Sequence, residues 1–439
     1  MESTVISIEN CDQRNGTNSN TSKPKGKNFL SFSCLVFSFR GNKWNLPTRN
    51  VIHSIKVGVA LVLVSLLYLL DPLFKQVGEN AMWAIMTVIV VFEFYAGATL
   101  SKGLNRAIGT ILGGGLGCLA AILADKANGI GNAIVVGTSV FIIGAAATYM
   151  RLIPKIKTRY DYGVMIFILT FNLVVVSGLR AETVMKLARE RLSTIGMGFV
   201  VCIFTSLLIF PMWASDELHC STASNFQKLA SSIEDCLEEY LKIHNKAENQ
   251  KSETICEGCK SVLHSKSKDE SLANFAKGEP WHGKFGFSHP WEKYLEIGEA
   301  LREIAAMIIS LQACIHSPIQ PAPTQRSIMK EQLEMTGTSL GWILRELGES
   351  ILKMRKCQAK SLIVPKLHSI KSELRLLISL IQTTQWLEPD DHFATASLVF
   401  LLMEIAAKTQ ILAEKVEDFG ELASFRLKTQ SLVYLVSPF

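Results

Sequence analysis

Six apolar runs crowd the first half of the chain, and shorter amphipathic stretches fill the second. The runs fall at roughly 51–70, 81–100, 107–124, 130–149, 162–179 and 192–213. Each approaches the ~20 residues a helix needs to cross a bilayer core. Turn and helix-ending residues interrupt them: Asp71-Pro72, Asn128-Gly129, Pro154, Ser177-Gly178 and Pro211. Beyond Trp213 the apolar positions recur at helical spacing over roughly 214–246, 252–266, 291–316, 324–359, 361–385 and 391–425, punctuated by Pro318, Pro321, Pro323, Pro365 and Pro389. The run at 397–414 is apolar but holds Glu404 and Lys408 four apart, which predicts an amphipathic helix and not a seventh span. The pattern predicts an all-α fold. Residues 1–48 form a basic N-terminal segment, 49–213 a six-helix transmembrane domain, and 214–439 a cytosolic helical domain.

Charge sharpens this division. The 439-residue chain is 48% hydrophobic and carries a net +6. Residues 1–213 hold 20 Lys+Arg against 10 Asp+Glu, and residues 214–439 hold 25 against 29. The basic excess therefore belongs to the membrane half, and the second half lacks the net basic face a nucleic-acid partner would require. Arg40, Lys43, Arg49 and Lys56 lie at or before the first span. Lys102 and Arg106 lie between the second and third, and Arg151, Lys155, Lys157 and Arg159 between the fourth and fifth. The positive-inside rule places these flanks, and both termini, in the cytosol. Residues 180–191 break the rule, with Arg180, Lys186, Arg189 and Arg191 on the outer side. These cations are expected to face the protein interior. Asn15 and Asn20 stand in glycosylation sequons that a cytosolic N-terminus would leave unused. Ten scattered cysteines make no disulfide framework, and Cys256 and Cys259 form a CxxC without further zinc-ligand spacing.

Arg106 and Arg191 each stand at the start of a glycine-bearing apolar run, NRAIGTILGGGLGCLAAIL and ERLSTIGMGFVVCIFTSLLIF. A cation at a helix centre costs about 2.5–3.5 kcal/mol by insertion scales and usually faces a bundle interior or a watery path. Spans 1–3 and 4–6 are two sets of three, so Arg106 would open its helix from inside and Arg191 from outside, as in an inverted repeat. Lys56, Lys102, Arg159, Arg180 and Arg189 are further candidates for an anion path. Glu93, deep in span 2, is expected to hold a cation or shape a gate, and Trp83 flanks the same helix. Gly109, Gly113 and Gly117, spaced by four, offer one smooth face for close packing. His282 and His289 suit a latch between helices, a metal site or a pH sensor. No Ser/His/Asp set, phosphate loop or metal cluster points to an enzyme, and no cofactor is expected.

HSIKVGVALVLVSLLYLL, NAMWAIMTVIVVFEFYAGATLSKGLNR at 80–106, TRYDYGVMIFILTFNLVVVSG at 158–178, ARERLSTIG at 188–196 and EPWHGKFGFSHPWEKY at 279–294 together resemble the plant aluminium-activated malate transporters. The resemblance covers roughly residues 50–430. It implies a homodimeric anion channel with six spans per subunit, passive conduction of malate and other anions, and pore arginines at Arg106 and Arg191. Membrane lipids are the remaining expected partner, and the plasma membrane is favoured over the vacuolar membrane. The chain departs from the family pattern around Glu279-Pro280, where Gly278 precedes and Trp281 follows. Two other readings stay open: a proton-coupled organic-acid exporter, and a membrane-anchored helical scaffold.

Overall fold

The structure is a computed structural model that describes residues 46–69, 82–127, 130–178, 184–242, 251–283, 285, 289–317, 323–383 and 389–425. The described secondary structure is helical, with one isolated bridge between His282 and Phe285. In the first half lie α1 (Leu46–Leu69), α2 (Met82–Val91), α3 (Ala96–Asp125), α4 (Ile130–Leu152), α5 (Pro154–Gly178) and α6 (Val184–Leu208). The second half holds α7 (Ala214–Lys242), α8 (Lys251–Leu263), α9 (Lys266–Ala276), α10 (Trp291–Ile315), α11 (Pro323–Leu352), a π-turn at Ala359–Ile363, α12 (Val364–Thr383) and α13 (Pro389–Leu422). Residues Lys266–Ala276 form a helix in a stretch where the apolar pattern predicted none.

Six described helices are long and apolar enough to cross a membrane, but they are not the six runs of the sequence. Five are α1, α3, α4, α5 and α6, and the sixth is Thr395–Leu422 within α13. The expected span at 81–100 is corrected. It breaks after Val91, and its second part joins the third run in the 30-residue helix α3. The 10-residue α2 rises only about 15 Å, half of a hydrocarbon core. The break is held by polar groups. The Thr99 hydroxyl lies 3.0 Å from the Glu93 N–H and 3.2 Å from its carbonyl, the Ala96 N–H donates to Met212 O at 3.0 Å, and Glu93 turns to pair with Lys102. Arg106 consequently sits ten residues inside a continuous helix and not at a helix start.

The apolarity of α13 has a different cause from that of a span. Leu398, Val399, Leu402, Ile405, Ala406, Leu412 and Val416 are buried in one core with residues of α7, α10 and α11. Lys408 pairs at 2.8 Å with Glu303 of α10 and not primarily with Glu404. A helix apolar over much of its circumference is buried by neighbours in a large bundle as readily as by lipid.

In the first half, α3 and α5 run parallel along the glycine face. A Cβ on Gly109 would lie 2.4 Å from Gly163 O, and one on Gly113 would lie 2.6 Å from Phe167 O. Both contacts are impossible, so only glycine allows this approach. α1, α2 and α6 pack through Ala60, Val64, Ala84, Val88, Val91 and Cys202. The Ala96–Met212 hydrogen bond makes α3 begin where α6 ends, so the two run antiparallel. At the corner between α4 and α5, Arg151 grips Asp161 with two bonds, at 2.7 and 3.1 Å.

Candidate functional site

Arg106 is 5% exposed, within an α3 face that also buries Gly103, Gly109 and Thr110. Its Nη1 donates to the Tyr162 hydroxyl of α5 at 3.1 Å, and its buried Nε has no partner. Thr110, one turn further along the same face, also buries an unpartnered hydroxyl. Arg191, on α6, lies 4.9 Å from the centroid of the Trp83 ring of α2, within cation–π range. Its Nε and Nη1 are buried without a hydrogen-bond partner. Among the described residues, no ion pair involves either arginine. Guanidinium N–H groups withdrawn from water and left unmatched are costly, because the desolvation is not repaid. The arrangement is one that a passing or resident anion would complete. Gly103 packs on the Phe199 ring of α6, eight residues along that helix from Arg191, and Arg106 stands one turn further along the antiparallel α3. The two cations thus stand at different heights, Arg106 nearer the C-terminal bundle.

The other expected cations are placed differently. Lys56 is 1% exposed inside α1. Lys102 is spent on Glu93, which settles the partner that the sequence left open. Arg159 is exposed, with its guanidinium 5.6 Å from the centroid of the Tyr160 ring and its carbonyl accepting from Asn105 Nδ2 at 3.0 Å. Arg189 is exposed, and Arg180 lies outside the described residues. Tyr162 and Thr110 were missed. Thr110 could have been found from its four-residue spacing to Arg106; Tyr162 reaches the site only through α3–α5 packing.

The loop after α9 joins the two halves. Glu279 places Oε1 2.6 Å from the Ala214 N–H and Oε2 3.2 Å from the Ser215 N–H, capping α7 where the helix dipole favours an anion. Burial pushes the Glu279 carboxyl above the usual range, and the donors at Ser215 and Ala214 offset only part of this. His282 stacks on Trp213 at 3.6 Å; its Nδ1 donates to Pro280 O at 2.8 Å while Nε2 accepts from Ser215 Oγ at 3.0 Å. Gly283 takes the left-handed φ of 55° that the tight loop needs. Behind it, His219 Nε2 donates to Leu352 O at 3.2 Å, so Nδ1 accepts from the Tyr294 hydroxyl at 2.7 Å. Burial, with the neighbouring His219, lowers His289 to about 4. These histidines form a packed aromatic latch. Among the described residues, no group of three or more His, Cys, Asp or Glu is disposed to hold a metal. A second joint lies beside it. Arg49 of α1 pairs with Glu217 of α7 at 2.9 Å, and Lys268 of α9 reaches the same carboxylate at 3.2 Å. Burial raises Glu217, but the two cations outweigh it and hold the carboxyl below its ordinary value.

A family model described as "Aluminium activated malate transporter" matches residues 45–389, which take in both arginine-bearing helices and both joints. The chain belongs to this family. It is a family of transporters and not of enzymes, and this member is a multi-pass membrane protein. Aluminum-activated malate transporter 13 of Arabidopsis thaliana is 44% identical over 350 residues, 78% of this chain and 65% of that protein. Aluminum-activated malate transporter 2 of Arabidopsis thaliana is 40% identical over 384 residues, 87% of this chain and 76% of that protein. Aluminum-activated malate transporter 1 of Triticum aestivum is 36% identical over 394 residues, 86% of this chain and 83% of that protein. The chain spans less than two thirds of several relatives, 65% of transporter 13 and 58% each of Aluminum-activated malate transporters 12 and 14 of Arabidopsis thaliana. The family match ends where α13 begins, at Pro389.

Proposed function

We propose that the chain forms a passive anion channel that conducts malate and other organic and inorganic anions through a homodimeric pore. The observation that carries this reading is the pair of guanidiniums of buried Arg106 and half-buried Arg191, with buried, unmatched N–H groups and no carboxylate partner among the described residues. Arginine suits a carboxylate because its planar fork donates two parallel bonds and stays charged at all relevant pH. Two subunits supply four such groups at two levels. Stepwise transfer between levels favours throughput, since a site must release its ion as well as attract it. Trp83 supports the role by holding Arg191 on a ring face without neutralising it. Lys56 is the next cation on the path, while Lys102, neutralised by Glu93, sets the turn beneath it.

The basic flanks support a cytosolic N-terminus and a cytosolic C-terminal bundle, and the plasma membrane is the location proposed. A proton-coupled exporter would need a free acid beside the path. Glu93, an acid at the break between α2 and α3, is instead held by Lys102. The test is patch-clamp recording with malate, chloride, nitrate and sulfate substituted in turn. Arg106→Gln and Arg191→Gln should each cut malate current at least about tenfold, the equivalent of ~1.4 kcal/mol, at unchanged surface abundance. Full current and unchanged selectivity in both variants overturn the assignment.

A further inference from the structure

The turn after α11 is charged unlike the rest of its half. Residues 353–375 hold seven Lys+Arg and one Glu, within a half whose net charge is −4. The fold carries the start of this stretch back towards the spans. α11 packs antiparallel on α7, with Gly337 against Leu237, Gly341 against Glu234 and Gly348 against Phe226. Its last residue, Leu352, accepts from His219. His219 is two residues from Glu217, whose partner Arg49 stands in the first turn of the membrane-crossing stretch Pro47–Leu66. Leu352 therefore lies close to the level at which α1 enters the bilayer.

The turn is built to face outward there. Met354 takes a left-handed φ of 47°, with Met354 N–H to Ile351 O and Arg355 N–H to Ser350 O both at 2.8 Å. Cys357, Ala359 and Ile363 anchor it inward. Leu352 and Leu362 point out, 42% and 46% exposed, on either side of Lys353, Arg355 and Lys356. Glu349 is shared between Lys353 and Arg355, and Lys356 has no ion-pair partner among the described residues. Glu349 is the acid within the patch, and it offsets one of the three cations. A cluster of cations flanked by exposed leucines at a bilayer's edge matches a surface of negative headgroups over acyl chains.

We propose that the turn at 352–362 docks the C-terminal bundle on the anionic leaflet of the membrane that the same chain spans. The partner is an anionic phospholipid headgroup, and the inference rests on the cytosolic placement proposed above. Each basic side chain near such a surface strengthens binding about fivefold, and with Glu349 offsetting one of the three the patch is worth about thirtyfold. The contact should fade with salt, because charges beyond about 8 Å are screened at physiological ionic strength.

The experiment uses the full chain in nanodiscs of phosphatidylcholine, with or without a third replaced by phosphatidylserine. Hydrogen exchange is followed at 353–358, with 266–277 as internal reference. Exchange at 353–358 should slow several-fold in the anionic discs, and salt raised from about 0.15 to about 0.5 M should restore the faster rate. Combined Lys353→Gln, Arg355→Gln and Lys356→Gln should abolish the slowing, and Lys353→Arg with Lys356→Arg should keep it. The salt arm uses the native chain, so a misfolded variant leaves the test intact. Equal exchange in the two discs, or slowing that persists in the Gln variant, overturns the proposal. So does slowing produced only by an added acidic polypeptide. Exchange does not depend on conduction: a chain that passes no malate yet shows the effect would sink the channel reading and leave this one standing.

Discussion

At the residue scale the decisive feature is a cation held without being neutralised. A carboxylate beside Arg191 would satisfy its N–H groups and remove the attraction for a passing anion. The Trp83 face orients the guanidinium at 4.9 Å and leaves its charge available. Such a contact contributes about 0.5–2 kcal/mol. Trp83→Ala should therefore raise the malate concentration for half-maximal current between about twofold and thirtyfold, while Trp83→Phe keeps most of the affinity. A half-saturation unchanged in Trp83→Ala would remove the ring from the mechanism. Arg106 and Arg191 were legible because charge inside an apolar run is expensive and therefore conspicuous. Their neighbours were not. Tyr162 is 56 residues from Arg106 in sequence and reaches it only because α5 lies parallel to α3. Lys102 looked like a free cation because the helix break that brings it to Glu93 lies inside an unbroken hydrophobic run.

At the element scale the same hydrophobic run shows what periodicity does and does not specify. Apolar residues at 81–100 satisfy a span by length and composition, yet Thr99 and Glu93 offer the backbone alternative partners, and the chain takes them at Phe92–Tyr95. Composition alone also selects α13, whose neighbours in the bundle do the burying that lipid would otherwise do. The glycine ladder was better specified. Spacing by four put Gly109, Gly113 and Gly117 on one face, and that face packs on α5. Gly109→Val should collapse the yield of monodisperse detergent-solubilised protein on size-exclusion chromatography, since even a Cβ there would meet Gly163 O at 2.4 Å. Gly115→Ala should elute as the native chain, because nothing lies within 4 Å of a Cβ at that position. Equal behaviour of the two variants would mean that the α3–α5 contact does not hold the spans together.

At the scale of the whole molecule, the bundle is fastened to the spans at two joints, and neither touches the arginines. Glu279 and His282 fix the start of α7 behind α6, and Arg49–Glu217 fixes α1 to the same helix. Rearrangement of the bundle should therefore alter how the spans stand without altering what they select. Glu217→Arg or Arg49→Glu alone should shift open probability, and the combined exchange should recover part of it. The malate-to-chloride permeability ratio should be the same in all three, and a changed ratio would place this joint in the permeation path. Selection and driving force are then separate problems, and the second has its own signature. If the path is passive, as proposed, it sets no direction and the membrane potential does. It is worth ~2.3 kcal/mol per charge per 100 mV, and roughly 4.6 kcal/mol for a dianion. With a negative cell interior, malate should leave the cytosol. The reversal potential should follow the malate gradient at a fixed proton gradient. A pH step at constant malate speciation should leave it in place if the proposed pore cations carry the anion, because guanidiniums stay charged at all relevant pH and Glu93 is paired to Lys102. A reversal potential that moves with the proton gradient would transfer the assignment to a coupled exporter, and Glu93→Gln, by abolishing that shift, would identify the coupling acid.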